Sequence, residues 1–420
     1  MEFMTTQGAA AKWNISDRRV RILCAKNKIA GAEKCGKSYR IPAGAQKPAD
    51  GRFKNIPGEA GAVRYLKWSN DTVCMIDRAS AVSFTQPNYN EVVALYTHGA
   101  ASWTPEQFTD FLAERVVSRD RRDIERILFR CGLSHYDVQR IAEITRGIHP
   151  KDLLWIANDE NETLDAVMTN VFSSVFLQRI DLTGDSIDTP EGYNVKRYGV
   201  FDGGYGIYKQ RINPLVTDVE SEIAVYHLAQ RLGVPCCPAV RANKNTVFSA
   251  FLYDYSREYF VHFRRLFDGA RSDNEYRNLV EVRPQYKDDI ARMILLDFIT
   301  RQDDRHLSNI AIKISGKQES FYPLYDNGRS LFYEDTEETV GKAVKDIAGY
   351  STSFGYSGTY WDYVLEIAKE RNIADLIDLS VSKAEIESIL KQAGFVSYRL
   401  EGAAEWITKA IELLKAKATV

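Results

Sequence analysis

Asp304-Arg305-His306-Leu307-Ser308-Asn309, followed at a hairpin's distance by Tyr325-Asp326-Asn327-Gly328, is the stretch on which the reading of this chain turns. One carboxylate, Asp304, can orient or deprotonate an attacking hydroxyl, and an amide oxygen five residues on, at Asn309, can ligate a cation on the same loop. A second carboxylate, Asp326, would return at the end of the next strand as the other cation ligand. These are the groups that phosphoryl transfer requires around Mg²⁺.

The flanking sequence supports that layout. Lys287 to Thr300 places Ile290, Met293, Ile294, Leu295, Phe298 and Ile299 in an apolar helix that should be buried and aim the loop behind it. Ile310 to Ile314 and Ser320 to Leu324 should form a hairpin across Gly316, carrying Asp326 back beside Asn309. His306 is expected to hydrogen-bond within the loop rather than act as a base. Upstream, Val195 to Phe201 and Tyr205 to Ile212 flank Asp202-Gly203-Gly204, a hairpin signal. Lys209 on the second strand could reach a nucleotide's phosphates. Thr217 and Glu220 spell a capping box opening the next helix. In that helix Glu222 shares a face with Val219, Tyr226 and Ala229, and a carboxylate on an apolar face calls for a cation, for which Lys209 is the candidate. Lys209, Glu222 and Asp304 are therefore the candidate catalytic residues, Lys209, Asn309 and Asp326 the candidate cofactor-binding residues, and Asn309 and Asp326 among them the candidate metal ligands.

Asp304 to Asn309, with Pro323 to Leu331, resembles the HipA-like kinases, a branch of the protein-kinase-like fold that shares an Asp-Arg-His-x-x-Asn loop with phosphoinositide kinases. The resemblance covers about residues 180 to 400. It implies an α+β, two-lobed kinase that uses ATP and Mg²⁺ to phosphorylate Ser/Thr hydroxyls of a protein. In it Asp304 takes the catalytic Asp role, Asn309 and Asp326 the metal roles and Lys209 the nucleotide-lysine role. Members often act as growth-arresting bacterial toxins, some silenced by a DNA-binding antitoxin. The chain departs from the family's pattern in lacking both Gly-x-Gly-x-x-Gly and Ser-Gly-x-Gln-Pro-Lys. Thr183-Gly184-Asp185-Ser186 occupies that region, where the resemblance makes Ser186 a candidate autophosphorylation site. Asp-Asn-Gly stands where eukaryotic protein kinases have Asp-Phe-Gly.

Charge is uneven. The chain's net charge is −2, but residues 1 to 54 hold twelve Lys/Arg against four Asp/Glu, a balance of +8 that leaves −10 for the rest. A basic end on an acidic body suggests contact with a polyanion. Thr6 to Trp13 reads as one short helix and Asp17 to about Lys26, N-capped by Ser16, as a second, with Val20, Leu23 and Cys24 inward. Ala32 to Pro42 reads as a hairpin turning at Gly36. This stretch resembles the winged helix-turn-helix domains of MerR and excisionase type, which implies DNA contacts by Arg18, Arg19 and Arg21 in the groove and Lys34, Lys37 and Arg40 on the backbone. Such domains often act as dimers on two-fold operators, so a homodimer is one alternative.

Four segments are expected: a winged helix-turn-helix at 1–54, a linker and helical connector at 55–178, a kinase N-lobe at 179–286 and a C-lobe at 287–420. Within the connector, Thr104-Pro105-Glu106-Gln107 has the form of a capping box, and helices are expected around Tyr136 to Thr145 and Lys151 to Val167. Hydrophobic content of 45% fits a globular protein. No apolar run approaches the roughly 20 residues of a membrane span, and six cysteines without a Cys-x-x-Cys argue against zinc sites and disulfide scaffolds. A soluble protein in a reducing cytoplasm is expected. Two other readings share these motifs: a DNA-binding regulator whose kinase half only senses nucleotide, and a kinase acting on a small-molecule or lipid hydroxyl.

Overall fold

The computed structural model describes residues 3–13, 20–21, 24–25, 29, 31–35, 38–45, 63–130, 132–164, 166–167, 195–254, 257–267, 276–352 and 358–418. The chain divides into two compact units, Met1–Pro57 and Gly58–Val420.

In the first unit, β1 (Phe3–Met4) leads into α1 (Thr6–Trp13), and β2 (Glu33–Cys35) pairs antiparallel with β3 (Ser38–Pro42). The sheet order is β1-β3-β2, with Phe3 opposite Pro42. Ala9, Val20, Cys24, Ile29 and Ile41 make a small core. The first helix and the hairpin stand where the sequence places them. The third strand was not legible, because two residues carry no periodicity. Of the candidate DNA contacts, Arg21, Lys34 and Arg40 are exposed, and Arg18, Arg19 and Lys37 lie outside the described residues.

The second unit begins with β4 (Arg64–Trp68), β5 (Asp71–Ile76), β6 (Val82–Phe84), α2 (Glu91–Thr97), β7 (Ser102–Trp103), α3 (Pro105–Ala113), α4 (Ile124–Arg130), α5 (Val138–Thr145) and β8 (Leu154–Ala157). The strands form one antiparallel sheet in the order β7-β6-β5-β4-β8. This corrects the helical connector: α3 forms with its full capping box and α5 lies where expected, but Lys151 to Val167 holds a strand rather than a long helix. All four residues of β8 are buried, and such a strand reads as a continuous apolar run that periodicity cannot tell from a buried helix.

A second sheet, ordered β11-β12-β10-β9, contains β9 (Lys196–Phe201), β10 (Gly204–Gln210), β11 (Ala239–Asn243) and β12 (Thr246–Ala250), with α6 (Asp218–Leu232) between β10 and β11 in sequence. Asp202 and Gly203, both at positive φ, make the two-residue turn that the twist of a hairpin favours. Gly206 is required by packing, since a Cβ there would lie 2.2 Å from Ser249 O. The remaining elements are β13 (Glu258–His262), α7 (Tyr276–Val282), α8 (Lys287–Thr300), β14 (Ala311–Ser315), β15 (Gln318–Phe321), α9 (Glu337–Ala343), α10 (Tyr360–Ala368), α11 (Lys383–Ala393) and α12 (Ser397–Ala418). β13 adds to the expected β14–β15 hairpin in the order β13-β14-β15. Helix α8 is buried from Ile290 to Thr300 except at Arg292; α10 and α12 pack on it, and Trp406 donates its indole N–H to Phe298 O at 3.1 Å. Among the described residues no helix is long and apolar enough to cross a membrane.

Candidate active site

A cleft of about 610 Å³ runs along the β9–β12 sheet, lined by Lys209, Glu222, Asp304, Asn309 and Asp326 among others. All five side chains singled out for chemistry line this one space.

Strand β10, helix α6 and the segment bearing Asp326 bring the cation and carboxylates together. Lys209, on β10, donates from Nζ to Glu222 Oε1 at 2.8 Å and to Asp326 Oδ1 at 3.1 Å. Ser249 Oγ also donates to Glu222 Oε1, at 3.1 Å, so the carboxylate that α6 turns inward is held by two strands. Burial by itself would lower Lys209, but the charges of Asp326 and Glu222 outweigh it and hold the ammonium above its ordinary value. The helix start differs from expectation: Thr217 makes no side-chain cap, its hydroxyl turns to Tyr333 O at 3.4 Å, and Glu220 pairs with Arg211 at 2.6 Å. A stronger cation partner has taken the glutamate from the capping box.

The Asp304–Asn309 loop is organised by Arg305, whose side chain is fully buried. Its Nε and Nη2 donate to the two oxygens of buried Asp297, on α8, at 3.0 and 2.9 Å. Its Nη1 donates to Asn309 O at 3.1 Å and Tyr325 O at 2.8 Å, and Nη2 also to Asn327 Oδ1 at 2.7 Å. One guanidinium thus ties the helix, the loop and the segment bearing Asp326 together. Buried Gln302 accepts from the Asp303 and Asp304 amides at 2.9 and 3.0 Å. Asn309 Nδ2 donates to Asp304 O at 2.7 Å, so its carbonyl oxygen is the atom it could offer to a cation. His306 Nδ1 accepts from Ser308 N at 3.2 Å, within the loop as expected.

Asp304 is pushed up to about 6, first by burial and then by the negative charge of Asp326, with Arg329, Lys196 and Arg305 pulling the other way. Arg329 Nη1 and His306 Nε2 flank its carboxylate at 3.7 and 3.9 Å. Asp326 has φ 57°, a left-handed conformation that Asp tolerates better than most residues. Burial would raise its carboxyl, but Lys196 and Lys209 hold it well below the usual carboxylate range. A Cβ on Gly328 would meet Glu222 Oε2 and Asp218 O, each at 3.3 Å, so the segment lies close against α6. Glu222 Oε2 and Asp218 Oδ1 are buried acceptors without a hydrogen-bond partner among the described residues.

Several lining residues escaped the sequence reading. Lys196 Nζ lies 3.0 Å from Asp326 Oδ2; its place opposite Lys209 follows from counting back through the two-residue turn. Tyr325 OH donates to Ser308 O at 2.9 Å, so His262 Nδ1, 3.0 Å from the same hydroxyl, must carry the hydrogen toward it. Asp120, His149 and Lys151 come from the β4–β8 region, whose loop is joined to the cleft by Tyr253 OH donating to Pro150 O at 3.2 Å and Phe260 N to Lys151 O at 3.0 Å. No local signal marks these residues, because their place depends on docking between sheets. Ser186 and the segment expected to grip phosphate lie outside the described residues.

No family model and no curated protein sequence matches the chain. Among solved structures it is similar to the proinflammatory kinase CtkA of Helicobacter pylori, at 16% identity and a TM-score of 0.45 over 58% of this chain and 94% of that one. It is also similar to a chain of the Shewanella oneidensis MR-1 toxin–antitoxin complex of HipA, HipB and its operator DNA, at 10% identity and a TM-score of 0.47 over 85% of this chain and 99% of that one.

Proposed function

We propose that the Gly58–Val420 unit is an ATP- and Mg²⁺-dependent kinase of HipA-like type that phosphorylates Ser/Thr hydroxyls of a protein, and that the basic N-terminal unit binds DNA. The observation that carries the kinase reading is the convergence of Asp304, Asn309, Asp326 and the Lys209–Glu222 pair in one cleft.

The residues present fit the groups this chemistry needs. Asn309 and Asp326 offer hard oxygen donors, and Mg²⁺ is commonly held by one or two protein oxygens with substrate phosphates completing its shell. When bound there it would neutralise charge on the phosphate oxygens. Lys209, fixed by Glu222, presents its ammonium to the same place. Asp304 accepts the proton of the attacking hydroxyl as that oxygen bonds to the γ-phosphorus and the bond to the ADP oxygen breaks. A carboxylate near 6 is largely ionised at neutral pH while being a stronger base than an exposed aspartate. Arg305 keeps Asp304, Asn309 and Asp326 in register, the positioning on which phosphoryl transfer chiefly depends.

The N-terminal reading rests on the charge balance and on the exposed Arg21, Lys34 and Arg40.

Intact mass of the wild type and Asp304→Asn, each incubated with ATP, Mg²⁺ and a Ser/Thr-containing protein extract, tests the kinase reading. Phosphate-sized additions to the protein or extract with wild type alone are expected. Equal transfer by Asp304→Asn would sink it.

A further inference from the structure

Lys196 and Lys209 stand directly opposite each other in the antiparallel β9–β10 ladder. Side chains so placed share a face with Cβ atoms about 5 Å apart, and two like charges there repel. The arrangement needs an anion between them. Asp326 supplies it, one oxygen to each ammonium, at 3.0 and 3.1 Å. The backbone beneath Lys196 is also held in place, since buried Arg121 donates from Nη2 to Lys196 O at 2.5 Å while its Nε pairs with Asp123.

The same Asp326 is the candidate metal ligand. A carboxylate with an ammonium on each oxygen is poorly disposed to a divalent cation, which would have to sit beside two positive charges. One lysine must leave. Lys209 has a second, buried partner in Glu222, whereas the one ion pair of Lys196 among the described residues is with Asp326. Lys196 is therefore the lysine that moves at lower cost.

We propose that Lys196 and Lys209 form a paired seat for the polyphosphate of the nucleotide, that Asp326 fills this seat when nucleotide is absent, and that divalent cations gain Asp326 only after phosphate has drawn Lys196 away. The proposal rests on the kinase reading and adds an order of binding to it: nucleotide before metal, never metal alone. A nucleotide-free chain is thereby protected from holding a metal in an empty cleft.

Binding is the test, read without turnover. Mn²⁺ binding is measured by the electron paramagnetic resonance of the free ion, and binding of the non-hydrolysable analogue adenylyl-imidodiphosphate by calorimetry, on the full chain as wild type, Lys196→Met and Lys196→Arg. Removing one competing ammonium should let Lys196→Met bind Mn²⁺ without nucleotide about tenfold more tightly than wild type, and should weaken its hold on the analogue. Lys196→Arg should behave as wild type. Wild type alone supplies an independent check, because the paired lysines should bind the analogue even in EDTA. Equal Mn²⁺ affinity of wild type and Lys196→Met, or analogue binding that depends wholly on metal, would overturn the order proposed here and leave the kinase reading standing. Failure of the wild type to bind the analogue with or without Mn²⁺ would overturn both.

Discussion

Arg305→Ala should cost more stability than any other single change in the Asp304–Asn309 loop, and the structure says why. The substitution strands Asp297, 1% exposed in its side chain, without its bidentate partner, and removes donors from Asn309 O, Tyr325 O and Asn327 Oδ1. Breaking a buried ion pair from one side costs about 3–5 kcal/mol, since a desolvated charge is left uncompensated. At roughly 2–4 °C per kcal/mol for a large domain, the melting temperature should fall by about 10 °C. Arg305→Lys keeps the charge but not the planar fork that serves four partners, so it should lose transfer activity more than stability. The double variant Asp297→Leu/Arg305→Met separates the two roles. With both charges gone and volume kept, much of the stability should return, while activity stays low because nothing ties the Asp304 loop to the Tyr325–Asn327 segment. Scanning fluorimetry and phosphate transfer by intact mass, measured on all four proteins, decide the matter. An Arg305→Ala protein melting within about 2 °C of wild type, or a double variant with wild-type transfer, would refute the claim that this one side chain sets the register of the site.

With Asp304 as the proposed base, the pH profile of transfer should show an acid limb near 6, because a proton-accepting carboxylate must be ionised and this carboxyl is pushed up to about 6. Activity is lost as pH falls through that value, whereas the group's contribution to stability has the opposite sign, being present at low pH and lost as pH rises through it. Arg329→Ala should move the limb to higher pH, since the Arg329 cation favours the ionised form; a limb unmoved or moved down would contradict the placement of that side chain. For the N-terminal unit, Lys34→Ala/Arg40→Ala should flatten the salt dependence of DNA binding by about 0.9 in log–log slope for each phosphate that is no longer neutralised. An unchanged slope, or no binding at low salt over a broad panel of sequences, would count against the DNA reading.

Much of the site was legible because its parts are local. Helix α8 shows itself through a long apolar period, the β9–β10 hairpin through Asp202-Gly203-Gly204, and the Asp304 to Asn309 spacing through its own side chains. Even the Lys209–Glu222 pair could be reasoned out, since an inward-facing carboxylate needs a cation and one strand supplied it. The five-stranded β4–β8 sheet was not legible, because its strands are short and β8, buried along its whole length, lacks the alternation that marks a strand with one wet face. Nor was the fate of Glu220, which gave up a helix cap for Arg211. By itself the sequence determined which groups were available and which of them share a turn or a loop, because these follow from bond geometry over a few residues. Only the tertiary structure decided that Arg305 binds three segments, that the β4–β8 region helps wall the cleft, and that Lys196 reaches Asp326, 130 residues away in sequence. Those pairings exist only once separate apolar surfaces have packed together, and no local pattern records which surfaces will meet.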